Sequence, residues 1–123
     1  MTWAPEQLDL ISSAPELEIA VYHADGTQGS WTPIWVVCAD GEVFVRTWYR
    51  RPTGWFGRIL RTERARVRVP GMEVNVRAED VGAEPSPLRA AIDDAYRSKY
   101  GGSSSDRMVG DDAAATTLRL NSE

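Results

Sequence analysis

Residues 33–48 read PIWVVCADGEVFVRTW, and this stretch decides the fold. The part up to Ala39 is apolar on both faces, which predicts a strand in the centre of a sheet. Asp40-Gly41 is the strongest hairpin signal in the chain, because these residue types accept the positive φ angles of a two-residue turn. Residues 42–48 then return as the next strand. The stretch therefore predicts antiparallel β structure.

Patterns on both sides of this hairpin add further strands and two helices. One helix begins at Pro5 and ends near Ala14, and an amphipathic helix begins at Ser86-Pro87 and ends at Gly101-Gly102. Alternating or short apolar runs predict the strands. The predicted strands are residues 17–22, 33–39, 42–48, 65–69, 74–78 and 116–120. The chain is thus predicted to be α+β and mainly β, with a compact barrel hiding the sheet edges.

Length and composition fit one globular domain over residues 1–123. Hydrophobic residues make up 42% and charged residues 26%, which excludes long disorder and collagen-like repeats. Cys38 is the single cysteine, so no internal disulfide can form, and we expect a small buried side chain. The sequence has no long apolar run, and residues 1–18 contain no basic residue, so we expect neither a transmembrane helix nor a signal peptide. We expect a cytoplasmic protein with no membrane partner.

Positive charge is concentrated in the middle of the chain. The formal net charge is −4, yet residues 46–77 carry nine arginines against two glutamates, a local charge of +7. The guanidinium group binds carboxylate and phosphate in a planar fork that lysine cannot form. In the strands over 65–69 and 74–78, arginine alternates with valine, so we expect these arginines to face solvent. The charge pattern indicates that the middle of the chain meets an anion.

Residues 46–58, RTWYRRPTGWFGR, carry the most chemistry. They supply four arginines, two threonines and four aromatic side chains. A phosphate needs charge-assisted donors, and a short helix over 55–60 would add backbone N–H groups at its start, with Thr53 as its N-cap. The aromatic side chains could stack on a planar ring. The alternative is an exposed basic loop whose aromatic side chains only pack.

Other chemistries have less support in the sequence. Basic residues interleaved with aromatics are typical of single-strand binding, but a pI of about 5.0 argues against nucleic acid as a partner. His23 is the only histidine, and it is either a proton donor near a reacting ring or a surface residue of the turn beside Asp25. One histidine and one cysteine are too few for a zinc site, so we expect no metal.

Seven short motifs follow one another along nearly the whole chain. They are Trp3 with Leu8, Asp25-Gly26, PIWVV at 33–37, VRT at 45–47, Trp55, AYRSKY at 95–100 and TLRL at 117–120. This order resembles an uncharacterised bacterial family catalogued as domain of unknown function 2255. That family is similar to the split β-barrel group of flavin- and deazaflavin-binding proteins. The resemblance implies a six-stranded antiparallel split β-barrel with an N-terminal helix and a late amphipathic helix.

The resemblance also implies a cofactor site and a homodimer. In such proteins, basic and hydroxyl residues at the end of a central strand and in the next loop hold the cofactor phosphate, near the partner chain. The implied cofactor is FMN or a deazaflavin, and Trp35 is an alternative to Trp55 beside its ring. Together with the helix start, the expected cofactor-binding residues are Arg46, Thr47, Arg50, Arg51, Thr53, Trp55 and Arg58.

Two departures from the family pattern bear on the expected function. Residues 49–52 lengthen the loop, and the lysine-rich glycine loop of many deazaflavin reductases is absent. The first hypothesis is a flavin- or deazaflavin-binding, oxidoreductase-like protein whose catalytic residues and substrate the sequence does not identify. The second is a non-enzymatic binding module that uses the same site for another anionic ligand or for a protein partner.

Overall fold

The computed structural model describes residues 3–47, 54–82, 86–101, 106 and 108–123. The helix at the N-terminus and the late amphipathic helix are confirmed. In chain order, the elements are α1 (Pro5–Ser13), β1 (Leu17–Val21), β2 (Thr32–Ile34), β3 (Val37–Ala39), β4 (Glu42–Val45), α2 (Trp55–Thr62), β5 (Arg64–Val69), β6 (Met72–Asp80), α3 (Ser86–Tyr100), α4 (Asp111–Ala114) and β7 (Leu118–Ser122).

The seven strands form one antiparallel sheet in the order β2-β1-β5-β6-β7-β4-β3. The two edge strands, β2 and β3, are consecutive in the chain, with only Trp35 and Val36 between them. Such a short connection spans no more than about 11 Å. The sheet must therefore curl until its two edges are neighbours. The fold is mostly β, with a curled antiparallel sheet and helices packed on it.

The prediction of one central strand over 33–39 is wrong. The segment forms two short strands, and both lie at edges of the sheet. The break falls at Val36, whose N–H donates to Tyr100 Oη at 3.1 Å and whose carbonyl accepts a hydrogen bond from Lys99 Nζ at 2.8 Å. These side chains of α3 replace strand partners. The sheet consequently has seven strands rather than the predicted six.

The predicted tight turns are confirmed. Asp40 and Gly41 have φ angles of 52° and 76°, as a two-residue hairpin between β3 and β4 requires. The second hairpin turns at Pro70-Gly71, between β5 and β6. Its alternation also holds, because Val67 and Val69 are buried while the arginines of β5 lie on the outer face. Those arginines make cross-strand ion pairs, for example Arg68 with Glu18 at 2.9 Å.

The start of α2 differs from the prediction. Gly54 is the residue preceding its first turn, so the helix has no side-chain N-cap, whereas the sequence suggested Thr53. Thr53 itself lies outside the described residues. The helix ends at Glu63, which adopts a left-handed conformation with a φ of 62°. The last strand is also shifted, because it begins at Leu118 rather than at Thr116.

Two apolar clusters fill the space around the sheet. The larger cluster draws residues from all seven strands, together with Ile11 of α1 and with Phe56 and Ile59 of α2. Contacts between strands distant in the sheet order are a consequence of the curl. The smaller cluster lies between β3–β4 and α3, and Phe44 and Tyr96 are its largest members. The segment 33–39 is apolar on both faces because it contributes to both clusters.

Candidate anion-binding site

Arg46, at the end of β4, has a fully buried side chain. Its Nε donates to Thr117 Oγ1 at 2.8 Å, and its Nη1 donates to Asp93 Oδ1 at 2.6 Å and to the Met108 carbonyl at 2.7 Å. A buried cation without a counter-charge costs several kcal/mol, and Asp93 on α3 removes most of that cost. The guanidinium therefore ties the end of β4 to α3 and to the segment before β7.

Little of Arg46 remains for a ligand. Among the described residues, its Nη2 has no hydrogen-bond partner. The cavity that it borders with Arg89 and Thr117 has a volume of about 10 Å³. This is the volume that a single water molecule needs, and it is too small for a phosphate group. The geometry thus gives Arg46 a structural role, and its expected contact with a phosphate stays a prediction.

Thr47 continues this structural connection through its backbone. Its N–H donates to Thr116 Oγ1 at 2.9 Å, and its carbonyl accepts a hydrogen bond from the same hydroxyl, also at 2.9 Å. The strand end that was expected to hold a phosphate is therefore fastened to the residues preceding β7. The expected ligands Arg50, Arg51 and Thr53 lie outside the described residues.

The two tryptophans considered for the ring occupy different surroundings. Trp55 opens α2, is partly buried, and meets Phe56 edge-on with ring centroids 5.8 Å apart. Trp35 stacks on Tyr100 at 3.9 Å with nearly parallel planes. One face of the Trp35 ring is therefore already covered. Trp55, in contrast, lies on α2, the helix that also carries Arg58.

Arg58 differs from the other partly buried arginines. The other partly buried arginines of the described residues all form ion pairs, namely Arg66, Arg68, Arg89 and Arg119, and so does the buried Arg46. Arg58 lies on α2, is partly buried, and its side chain makes no ion pair or hydrogen bond with the described residues. Removing a guanidinium from water without a partner is unfavourable. An anion from outside the chain would provide that partner.

The loop between β1 and β2 places a glycine directly beside Arg58. A Cβ on Gly29 would lie 3.2 Å from Arg58 Nη1, 3.7 Å from His23 Nε2 and 2.6 Å from the Val21 carbonyl oxygen. No side chain fits at this position, so the glycine lets the β1–β2 loop and α2 approach closely, with the Arg58 and His23 side chains both beside it. The sequence around Gly29 contains no motif that predicts a functional residue. Its place beside Arg58 follows only from the packing of α2 against the β1–β2 loop.

The motif at residues 95–100 has a structural task that the sequence did not reveal. Lys99 Nζ donates to the carbonyls of Val36 and Ile11, at 2.8 and 3.2 Å, and Tyr100 Oη donates to the Pro15 carbonyl at 2.7 Å. Burial lowers the pKa of Lys99 and raises that of Tyr100. The end of α3 thus holds α1 and the β2–β3 link together.

Tyr96 of the same motif is fully buried in the smaller cluster, and burial raises the pKa of its phenol.

Among the described residues, no three His, Cys, Asp or Glu side chains converge as metal ligands. No helix in this part of the chain is both long enough and apolar enough to cross a membrane.

Three solved structures show the same fold at low sequence identity. The conserved hypothetical protein Rv2991 from Mycobacterium tuberculosis is 18% identical, with a TM-score of 0.61 over 98% of this chain and 79% of that one. The heme storage protein HutZ from Vibrio cholerae is 14% identical, with a TM-score of 0.64 over 100% and 92%. A putative 5-nitroimidazole antibiotic resistance protein from Bacteroides thetaiotaomicron is 9% identical, with a TM-score of 0.63 over 98% and 80%.

At these identities the likeness extends to the fold and not to a ligand. No curated protein matches the chain by sequence. The family model described as "Uncharacterized protein conserved in bacteria (DUF2255)" matches residues 7–120, which is nearly the full length. The resemblance noted from the short motifs is thereby confirmed, and the chain belongs to this bacterial family of uncharacterised proteins.

Proposed function

We propose that this protein binds a phosphate-bearing flavin-type cofactor, FMN or a deazaflavin, at Arg58 of α2. The observation that carries the proposal is the side chain of Arg58, which is partly buried and has no carboxylate beside it in the described structure. The shared fold supports it in a general way, since HutZ is named as a heme storage protein and so has a bulky planar ligand.

The charge distribution around α2 supports an anionic ligand. Between Glu42 and Glu63 the sequence contains five arginines and no acidic residue. Two of the five, Arg50 and Arg51, precede Gly54 by only a few residues, so they are close enough in sequence to join Arg58. Several guanidinium groups in a stretch without carboxylates favour a ligand with two negative charges, such as a phosphate monoester.

In this proposal the chain binds and orients the cofactor, which when bound would supply hydride transfer. Arg58 holds the phosphate, and Trp55 offers a flat apolar face to the ring. Arg46 acts indirectly, because its ion pair with Asp93 fixes the strand end that precedes Arg50 and Arg51 in the sequence. A homodimer in the cytoplasm, with the partner chain covering the ring, completes the proposed arrangement.

A second candidate function rests on a different surface. A cleft of about 490 Å³ lies between α2 and the strands β6 and β7, where Leu60 is 46% exposed. Its floor is apolar, with Ile59 and Leu118, and its rim carries Glu63, Glu79 and Asp80 beside one basic residue, Arg77. This excess of acidic groups disfavours a phosphate and suits a partner with basic and apolar groups. This cleft favours the alternative of a non-enzymatic module that binds a protein partner.

Flavin fluorescence distinguishes these functions. We expect the purified protein to quench the fluorescence of FMN saturably. Riboflavin lacks the phosphate and its charge-assisted hydrogen bonds, so it should bind at least about tenfold more weakly. A deazaflavin cofactor is titrated in parallel. The Arg58→Gln variant should bind FMN about as weakly as the wild type binds riboflavin. The absence of saturable binding for FMN and for the deazaflavin would reject the cofactor proposal.

A further inference from the structure

We propose that His23 is a second ligand of the phosphate and that, with Arg58, it forms a two-sided anion clamp across Gly29. This inference rests on the proposed function only in assigning the phosphate to a cofactor. The clamp is built from separate parts of the chain, since Arg58 belongs to α2 while His23 and Gly29 belong to the loop between β1 and β2. No family motif noted in the sequence includes His23 or Gly29.

The geometry suits one tetrahedral anion. Arg58 Nη1 and His23 Nε2 lie 3.2 and 3.7 Å from the position that a Gly29 Cβ would take, so they are at most about 7 Å apart. Two oxygens of a single phosphate or sulfate can bridge that separation with hydrogen bonds of about 2.8 Å. The Val21 carbonyl closes one side of the space, because it accepts the Gly29 N–H at 3.0 Å. The anion therefore sits on the opposite, solvent side.

The backbone of the loop fixes the position of His23. Its N–H donates to the Thr27 carbonyl at 2.8 Å, and its carbonyl accepts the Gly26 N–H at 2.9 Å. Gly26 permits this tight turn because its φ angle is 88°. The imidazole is exposed, and no described side chain forms an ion pair with it within 4 Å. His23 is thus presented on a constrained turn with its ring available to a ligand.

The charged groups nearest to this turn come from the turn itself, from α2 and from β5. Asp25 lies on the same turn, and two hydrogen bonds from Thr27 together with the electrostatic interaction with His23 lower the pKa of its carboxyl. Arg58 faces it from α2. Arg64 of β5 lies over the ring of Tyr22 and is neutralised by Glu123 at 2.9 Å. The hydrogen bonds from Thr27 orient the Asp25 carboxylate but leave its negative charge, and the Arg58 guanidinium and the His23 imidazole supply the donors to the anion.

Sulfate is the appropriate first probe, because it is a tetrahedral anion of fixed charge and carries no ring. Calorimetric titrations at pH 6.0 would compare wild type with Arg58→Gln, His23→Gln and the control Arg97→Gln. Arg97 is an exposed arginine of α3 and makes no ion pair within the described structure. Its variant has the same loss of charge as Arg58→Gln.

At pH 6.0 we expect Arg58→Gln and His23→Gln each to weaken sulfate binding by about tenfold, with Arg97→Gln unchanged. If His23→Gln binds sulfate as tightly as Arg97→Gln does, the clamp is wrong.

FMN titrations of the same variants separate this inference from the proposed function. FMN binding that is insensitive to His23→Gln overturns the clamp and leaves cofactor binding intact. Sulfate binding that is weakened by both variants as expected, but without binding of FMN, a deazaflavin or riboflavin, supports the clamp and overturns the cofactor proposal.

Discussion

Arg46 Nη1 lies 2.6 Å from Asp93 Oδ1, with the arginine side chain wholly buried and the aspartate 15% exposed. The charge of Arg46, the most buried arginine of the described chain, is therefore neutralised by a carboxylate of the same chain, whereas Arg58 has no such partner among the described residues. We expect Asp93→Ala to lower the free energy of unfolding by about 3 kcal/mol, because it leaves a buried guanidinium without its counter-charge. Asp94→Ala, at the exposed neighbouring position, is the control and should cost no more than about 0.5 kcal/mol in urea denaturation. Equal effects would contradict a structural role for the pair.

Lys99 tests the role of the α3 end. Lys99→Met keeps most of the apolar stem but removes the donors to the Val36 and Ile11 carbonyls. We expect a loss of about 2 kcal/mol, because two carbonyls of the α1 and β2–β3 backbone lose a charged donor. Arg97→Met, two residues earlier on an exposed face, should be nearly neutral. Thermal unfolding of both variants measures the difference, and matching melting temperatures would remove this role.

Gly82 offers a sharp packing test. A Cβ there would clash with the Ala115 carbonyl oxygen, which is backbone and cannot move aside easily. Gly82→Ala should therefore destabilise the protein by about 2–3 kcal/mol. At Gly110 the nearest atom to an added Cβ is 3.8 Å away, so Gly110→Ala should cost less than about 1 kcal/mol. Chemical denaturation would contradict the close approach of these segments if the order were reversed.

Cys38 provides a test based on pH. Burial raises the pKa of its thiol above the ordinary value, so the folded protein holds less thiolate than the unfolded chain at any pH below that raised pKa. We expect alkylation by iodoacetamide at pH 8 to be at least about tenfold slower in native protein than in urea. The ratio should fall as the pH rises through 9, because the unfolded thiol is then largely ionised while the native thiolate fraction still increases. Equal native and unfolded rates would show that Cys38 is exposed.

The sequence was sufficient for the local elements whose signals are local. Asp40-Gly41 formed the predicted hairpin, and the Val–Arg alternation of β5 placed its arginines outside. It failed over residues 33–39, because a run apolar on both faces is equally compatible with a central strand and with two edge strands covered by a helix. The partners that break the run, Lys99 and Tyr100, are more than sixty residues away.

The same limit applies to the candidate site. Arginine content indicated an anion, and Arg58 was among the expected residues. Sequence alone could not separate it from Arg46, because the difference lies in the distant Asp93, which pairs with one and not the other. Gly29 and His23 join Arg58 only through the packing of α2 against the β1–β2 loop. Such a cluster leaves no spacing pattern in the chain.

A crystal structure of the protein with FMN bound tests the central claim most directly. We predict phosphate density within hydrogen-bond distance, about 3 Å, of Arg58 Nη1, on the solvent side of Gly29. Phosphate bound instead beside Arg46, or a flavin found only in the cleft between α2 and the β6–β7 strands, would contradict the account.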